Sequence, residues 1–191
     1  MRIVTACTPA YRNSADKLYK SAEKLELPMT IVPYKDRGSW LANCNYKPTA
    51  ILQVMEEFKD SMLWLDADSE IIAKPVINPT WEIAYQVSKV PSKFIYDFTL
   101  SKVVDNINKI GTPQGCVMYF KYSSLTLELL KGWKNLCDAY QIRTNDEQCL
   151  RETLKVFGKL INETKIGKLN CFFLKHKFEG KLHGKIIRGG V

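Results

Sequence analysis

Two aspartates one residue apart, Asp66 and Asp68, follow the apolar run Met62 to Leu65, and Glu70 stands close behind them. Carboxylates crowded at the end of a buried strand repel one another, which costs stability unless something positive sits between them. Side chains at i and i+2 just past a strand can point to the same side, so Asp66 and Asp68 make an oxygen-rich pocket for a hard divalent cation, Mg²⁺ or Mn²⁺. Such an ion takes one or two carboxylates and completes its shell with water and substrate phosphates. It would relieve the repulsion and stabilise charge developing on a departing diphosphate. A D-x-D triplet by itself is weak, because acidic turns after strands are common.

The surrounding elements must place that turn. "RIVTAC" is a β-branched apolar run ending in "TPAYRNS", where Pro9 and Asn13 signal a loop. Ser14 fits the N-cap of a helix from Ala15 to about Glu26, with Leu18, Ala22 and Leu25 on one face. "MTIVPY" reads as a second strand, and "KDRGSWLANCNY" after it as a loop. Pro48 suits the first turn of a helix through "PTAILQVMEEFKD", whose Ile51, Leu52, Met55 and Phe58 form an apolar stripe. "SMLWLDADSEII" then gives strand, acidic turn and a second short strand. This β, α, β, α, β order predicts an α/β fold in one domain, with a mostly parallel sheet covered by helices on both faces. Ligands of such sheets bind at the carboxyl ends of the strands, where both "TPAYR" and "DAD" fall.

The second half is less regular. "GCVMYF" reads as a buried strand, "SSLTLELLKGWKNLCDAY" as a helix with Leu129, Trp133, Leu136 and Tyr140 on one side, "NDEQCLRETLKVF" as another helix and "KLNCFFL" as a last strand. In "NDEQ", Asn145 and Gln148 have capping-box spacing, and Asp146 and Glu147 suit a helix dipole.

With 191 residues and an ordinary balance of apolar and charged side chains, the chain has the size and composition of a globular domain. No stretch approaches the roughly 18 uninterrupted apolar residues of a membrane span, and the apolar run after Arg2 is too short for a signal peptide. The expected compartment is the cytoplasm. The six cysteines show no CxxC pair and read as reduced thiols. From Arg151 to Val191 there are ten Lys and Arg against three Glu, so this segment carries +7 of the chain's +8. That basic face predicts an anionic partner: a phosphorylated small molecule, a nucleic acid or an anionic membrane surface.

"SMLWLDADSEI", preceded by "YKPTAIL" and by an N-terminal strand running into "TPAYR", resembles the GT-A-fold glycosyltransferases, including the glycogenin-like group and small bacterial and viral enzymes. The resemblance implies a single glycosyltransferase domain over residues 1–191, with a nucleotide-binding part in about 1–75 and an acceptor and C-terminal part in about 76–191. It implies hexosyl transfer from a nucleotide-diphosphate sugar, UDP-sugar favoured, to a hydroxyl of a glycan or glycoprotein acceptor, with Mn²⁺ or Mg²⁺; for a viral protein the setting would be host cytoplasm. Asp66 would contact the ribose or a metal-bound water, and Asp68 would ligate the metal. Thr8, Tyr11 and Arg12 would hold the nucleotide, with Tyr11 against the base and Arg12 on a phosphate. Lys47 would reach the acidic pair or the diphosphate.

A third metal ligand would come from a late histidine. Of His176 and His183, the latter matches better, since Gly184 lets backbone approach phosphate and Lys185 neutralises it, with Arg188 beyond. The segment departs from the HxxGxxKPW pattern of the glycogenin-like group. Gln114 and Gly115 correspond to the donor-sugar and acceptor pocket. "NDEQ" would supply Asp146 or Glu147 as an acidic base, or Gln148 as a polar neighbour of the sugar.

Two other classes compete. A sugar-phosphate nucleotidyltransferase needs a Gly-rich basic loop after its first strand, and "TACTPAYRNSADK" has no glycine. A basic nucleic-acid-binding module would use interleaved aromatic and basic residues, of which "CFFLKHKFEGK" has a few, but it leaves the acidic triplet unexplained.

Overall fold

The computed structural model describes residues 1–87, 94–97, 102–105, 113–157, 160–161, 165–169 and 172–176, the backbone alone at 94–97, 102–105 and 176. Strand β1 (Arg2–Cys7) leads through a short turn at Pro9–Tyr11 into helix α1 (Arg12–Glu23), followed by β2 (Met29–Pro33), α2 (Trp40–Cys44), α3 (Lys47–Phe58) and β3 (Met62–Leu65). Then come β4 (Ser69–Ile71), β5 (Ile83–Val87), β6 (Phe94–Asp97), β7 (Lys102–Asp105), β8 (Pro113–Phe120), α4 (Ser124–Ala139), α5 (Asp146–Phe157), β9 (Ile166–Lys168) and β10 (Leu174–His176).

The main sheet has the order β2-β1-β3-β8-β5-β9. β1 is parallel to β2 and β3, β9 is parallel to β5, and β8 runs against its neighbours β3 and β5. Strand side chains alternate between faces, and the alternation in β3 divides the core. Met62 and Trp64 pack with α3, α4 and α5, while Leu63 and Leu65 pack with α1. The α/β sheet, mostly parallel and covered on both faces, is the one the sequence predicts. The pair β10-β4 and the hairpin β6-β7 stand beside the main sheet as antiparallel ribbons. Among the described residues, no helix is long and apolar enough to cross a membrane.

Four local expectations need correction. Helix α1 begins at Arg12, because the turn at Pro9–Tyr11 already sets helical geometry, so Ser14 lies inside the first turn and caps nothing. "KDRGSWLANCNY" is not all loop: the Ser39 hydroxyl accepts the Ala42 amide at 3.1 Å and starts α2. Phe58, on the predicted apolar stripe, is 40% exposed and carries the Arg2 guanidinium 3.8 Å above its ring. "KLNCFFL" does not form one strand: Lys168 ends β9 and Leu174 begins β10, with Phe173 buried and Phe172 exposed on the turn between them.

Candidate active site

The carboxyl ends of β1 and β3 open into a cleft of about 130 Å³. The acidic turn is fixed by its backbone. The Asp66 amide donates to the Cys116 carbonyl at 3.0 Å, extending the β3–β8 ladder by one residue, and the Ser69 amide donates to the Asp66 carbonyl at 3.0 Å. Ala67 and Asp68 therefore sit at the tip, and both Asp66 and Asp68 line the cleft. Thr8, buried at the end of β1, and Tyr11 line it as well. Arg12 does not; it pairs with Asp16 at 2.9 Å and faces an adjoining groove beside Lys35.

The opposite wall comes from the segment between β2 and α3. Its rings Tyr34 and Tyr46 stack at 4.4 Å between centroids, and Trp40 lines the same cleft. The segment is held by polar groups of its own and, through Arg37 and Asn45, by Gln141 and Thr144. Asp36 Oδ1 accepts from the Gly38 amide and from Asn43 Nδ2, each at 2.9 Å, and the Arg37 amide donates to Asn43 Oδ1 at 2.9 Å. Gly38 has φ +84°, where an L side chain would be strained. The Asn43 and Gly38 donors hold the Asp36 carboxyl below its ordinary range. Tyr34, Trp40, Asn43 and Tyr46 were not among the predicted site residues. The available signal was three aromatics, Tyr34, Trp40 and Tyr46, recurring at intervals of six around a Ser cap.

Beneath the rings lies a buried ionic cluster. The Lys47 ammonium, on the first residue of α3, donates to the Gly115 carbonyl at 2.7 Å and stands 2.8 Å from Asp146 Oδ2 and 3.3 Å from Asp66 Oδ1. Its side chain is 9% exposed and that of Asp146 4%. Asp146 Oδ2 is off the line of a hydrogen bond, so its contact with Lys47 is chiefly Coulombic. Burial disfavours the Lys47 charge, but Asp146 and Asp66 outweigh it and hold the ammonium well above its ordinary pKa. Burial raises the Asp146 carboxyl, against the pull of Lys47. The Lys47 ammonium thus faces three protein oxygens, one of them on Asp66.

Helix α5 delivers its acids by a pinned N-terminus. Asn145 Oδ1 accepts the Gln148 amide at 3.1 Å, Thr144 donates to Gln148 Oε1 at 2.6 Å, and the Trp133 indole donates to the Asp146 carbonyl at 2.8 Å. Glu147 Oε1 accepts the Gly115 amide at 2.6 Å. Burial, reinforced by Asp146, pushes the Glu147 carboxyl up to about 7. Gly115 thus holds Lys47 by its carbonyl and Glu147 by its amide. The pairing of β5 with β8 slips between Tyr85 and Gln86, so the stretch around Gly115 leaves the regular ladder beside the site. Gln114 pairs in register with Gln86.

As metal donors the described residues offer Asp66 and Asp68; no cluster of three or more His, Cys, Asp or Glu occurs among them. Among the described residues, Lys47 and the Trp64 indole, the latter at 2.9 Å, both meet the Asp66 carboxylate at Oδ1, which leaves Oδ2 toward the cleft, where the side chain is 35% exposed. Two hard oxygen donors fit Mg²⁺ or Mn²⁺, which take one or two carboxylates and fill the remaining positions with water and phosphate. His183, Gly184, Lys185 and Arg188 lie outside the described residues. Cys7 and Cys44 line the cleft as free thiols, and burial raises the pKa of both.

This architecture has a counterpart among solved structures. It is similar to the crystal structure of a glycosyltransferase involved in the glycosylation of the major capsid of PBCV-1, with a TM-score of 0.62 over 88% of this chain and 80% of that one. Identity is 13%, so the likeness is one of fold. No protein-family model matches the chain, and no curated protein sequence matches it.

Proposed function

We propose that the protein is a divalent-metal-dependent glycosyltransferase of the GT-A type, moving a hexosyl group from a nucleotide-diphosphate sugar, UDP-sugar favoured, to a hydroxyl of a glycan or glycoprotein. The observation that carries this reading is the D-x-D turn and the aromatic wall opening into one cleft at the ends of β1 and β3, on a fold shared with a glycosyltransferase.

In this reading Tyr11, Tyr34 and Tyr46 present ring faces for the nucleotide base, with the Thr8 hydroxyl beside them. Asp66 and Asp68, with His183, would hold Mn²⁺ or Mg²⁺, which supplies charge stabilisation to the departing diphosphate. Gly184 and Lys185 would meet the phosphates, and the remaining basic C-terminal residues would take phosphate or an anionic surface. Lys47 acts within the protein, holding Asp66 in orientation. Gln114 and Gly115 on β8, with the acids Asp146 and Glu147 on α5, serve the acceptor side. Of those two acids Glu147 suits proton transfer better: Asp146 is committed to Lys47, while a carboxyl near pKa 7 is matched to accept a hydroxyl proton at neutral pH. Gln148 then supports the N-terminus of α5.

The test is thermal unfolding with UDP, GDP, CMP and dTDP sugars, each with and without Mn²⁺, in wild type and Asp68→Asn. A ligand at a hundredfold excess over its Kd stabilises the fold by about 2.7 kcal/mol, several degrees for a chain of this size. The expected result is a Mn²⁺-dependent shift with one nucleotide class that Asp68→Asn abolishes. No shift with any donor overturns the reading; salt-sensitive retention on nucleic acid that survives Asp66→Asn/Asp68→Asn would replace it with the nucleic-acid module.

A further inference from the structure

We infer that Trp64 is a positioning residue for the acidic turn: its indole N–H and ring face lock the Asp66 carboxylate so that Oδ1 stays within the protein and Oδ2 is presented to the metal and nucleotide. The inference rests on the metal-dependent reading of the cleft. Trp64 and Asp66 are two residues apart at the end of β3, so their side chains leave the sheet on the same side. The indole Nε1 donates to Asp66 Oδ1 at 2.9 Å. The same ring lies 5.4 Å under the Lys47 ammonium, the other partner of Oδ1. One side chain therefore holds the carboxylate directly and steadies the ammonium beside it.

Trp64 is 3% exposed, so the ring has no freedom to turn away, and its indole donor together with the ammonium 3.3 Å away on the same oxygen restrains the carboxylate. Nothing in the packing of β3 requires an N–H at this position. Met62, on the same face two residues earlier, buries its side chain in the same core with an apolar group alone. The N–H contributes orientation, which is what a ligand to a hard cation needs from its surroundings.

The experiment measures Mn²⁺ binding by electron paramagnetic resonance, alone and with UDP or GDP, in wild type, Trp64→Phe, Asp66→Asn and the double variant. Phenylalanine keeps an aromatic ring and removes the donor. Nucleotide-assisted Mn²⁺ binding should weaken about tenfold in Trp64→Phe, the lower end of what supporting hydrogen bonds to metal ligands contribute. The double variant should bind no worse than Asp66→Asn alone. If Trp64→Phe binds like wild type while Asp66→Asn does not, the inference falls and the glycosyltransferase reading stands. If wild type binds no Mn²⁺ with either nucleotide, both fall. A second readout needs no change at position 64. In the ¹H–¹⁵N spectrum of the four tryptophan indoles, one N–H resonance should move in Asp66→Asn and again on adding Mg²⁺ with the bound nucleotide. An indole spectrum unchanged by Asp66→Asn overturns the inference even if Trp64→Phe fails to fold.

Discussion

The floor and the rim of the cleft are built in different ways. On the floor, Lys47, Asp146 and the Gly115 peptide are buried and bound to one another across α3, α5 and β8. On the rim, Trp40 is 37% exposed, and the loop ahead of it is shaped by near neighbours, Asp36 with Gly38 and Asn43, with Arg37 and Asn45 reaching across to Gln141 and Thr144. A charge sunk in the floor is part of the fold, because its partner would otherwise be left ionised without water. A rim side chain can change while the chain stays folded. The cleft thus joins a buried ionic base to a more exposed wall of aromatic rings.

The sharpest way to break this comparison is Lys47→Met. It leaves the Asp146 carboxylate, 4% exposed, without its counter-ion, and removing one partner of a buried pair costs about 3–5 kcal/mol. Urea unfolding should show that loss, and Lys47→Met/Asp146→Asn should recover a large part of it. A change on the acidic turn such as Asp68→Asn, without ligand, should cost less, because no buried ion is stranded. If Lys47→Met costs no more than Asp68→Asn, the floor is not fold-bearing and the contrast fails.

Gly115→Ala probes the same floor by space rather than charge. An added Cβ would lie 2.6 Å from Lys47 Nζ, 2.7 Å from Asp146 Oδ2 and 3.2 Å from Glu147 Cγ. A lysine tip normally moves aside, but three oxygens hold this one, so the expected cost is that of overpacking, about 1–3 kcal/mol. The variant should also lose metal-dependent nucleotide stabilisation, because Lys47 cannot shift without releasing Asp66. A fully stable Gly115→Ala protein would mean that the cluster has slack.

The division also explains what the sequence made legible. β-branched runs, an apolar stripe from Ile51 to Met55 and the Pro48 start signal are local, and they carried the order of strands and helices and the position of the acidic turn at a strand end. Helix α2 was hidden because "SWLANC" is too short for a periodic stripe; its cap and the stacking of Tyr34 on Tyr46 hold it. The ionic floor was hidden more deeply. Asn145 caps α5 as its spacing predicts, and that local role gave no hint that Asp146 turns inward to meet a lysine from α3. Contacts between distant parts of the chain leave no periodicity to read. Away from the cleft, Phe172 and Phe173 look alike in sequence, yet one is exposed and the other buried on the turn before β10.

Glu147 stands between floor and rim, and its effect on stability per unit of pH is the smallest of these. Its carboxyl is raised to about 7 by burial and by Asp146. A raised acid binds its proton more tightly in the folded state than in the unfolded one, so folding is favoured while Glu147 is neutral. Its contribution therefore falls as pH rises from the ordinary glutamate range toward 7, by at most about 1.4 kcal/mol per pH unit. Glu147→Gln keeps an acceptor for the Gly115 amide and removes the charge. It should match wild type near pH 5, exceed it in stability near pH 8 and flatten the slope between. Turnover should behave oppositely: wild-type kcat/KM rising through about pH 7 and Glu147→Gln losing that limb marks a base that needs its charge. A flat wild-type stability profile over this range would place Glu147 with the solvated rim instead.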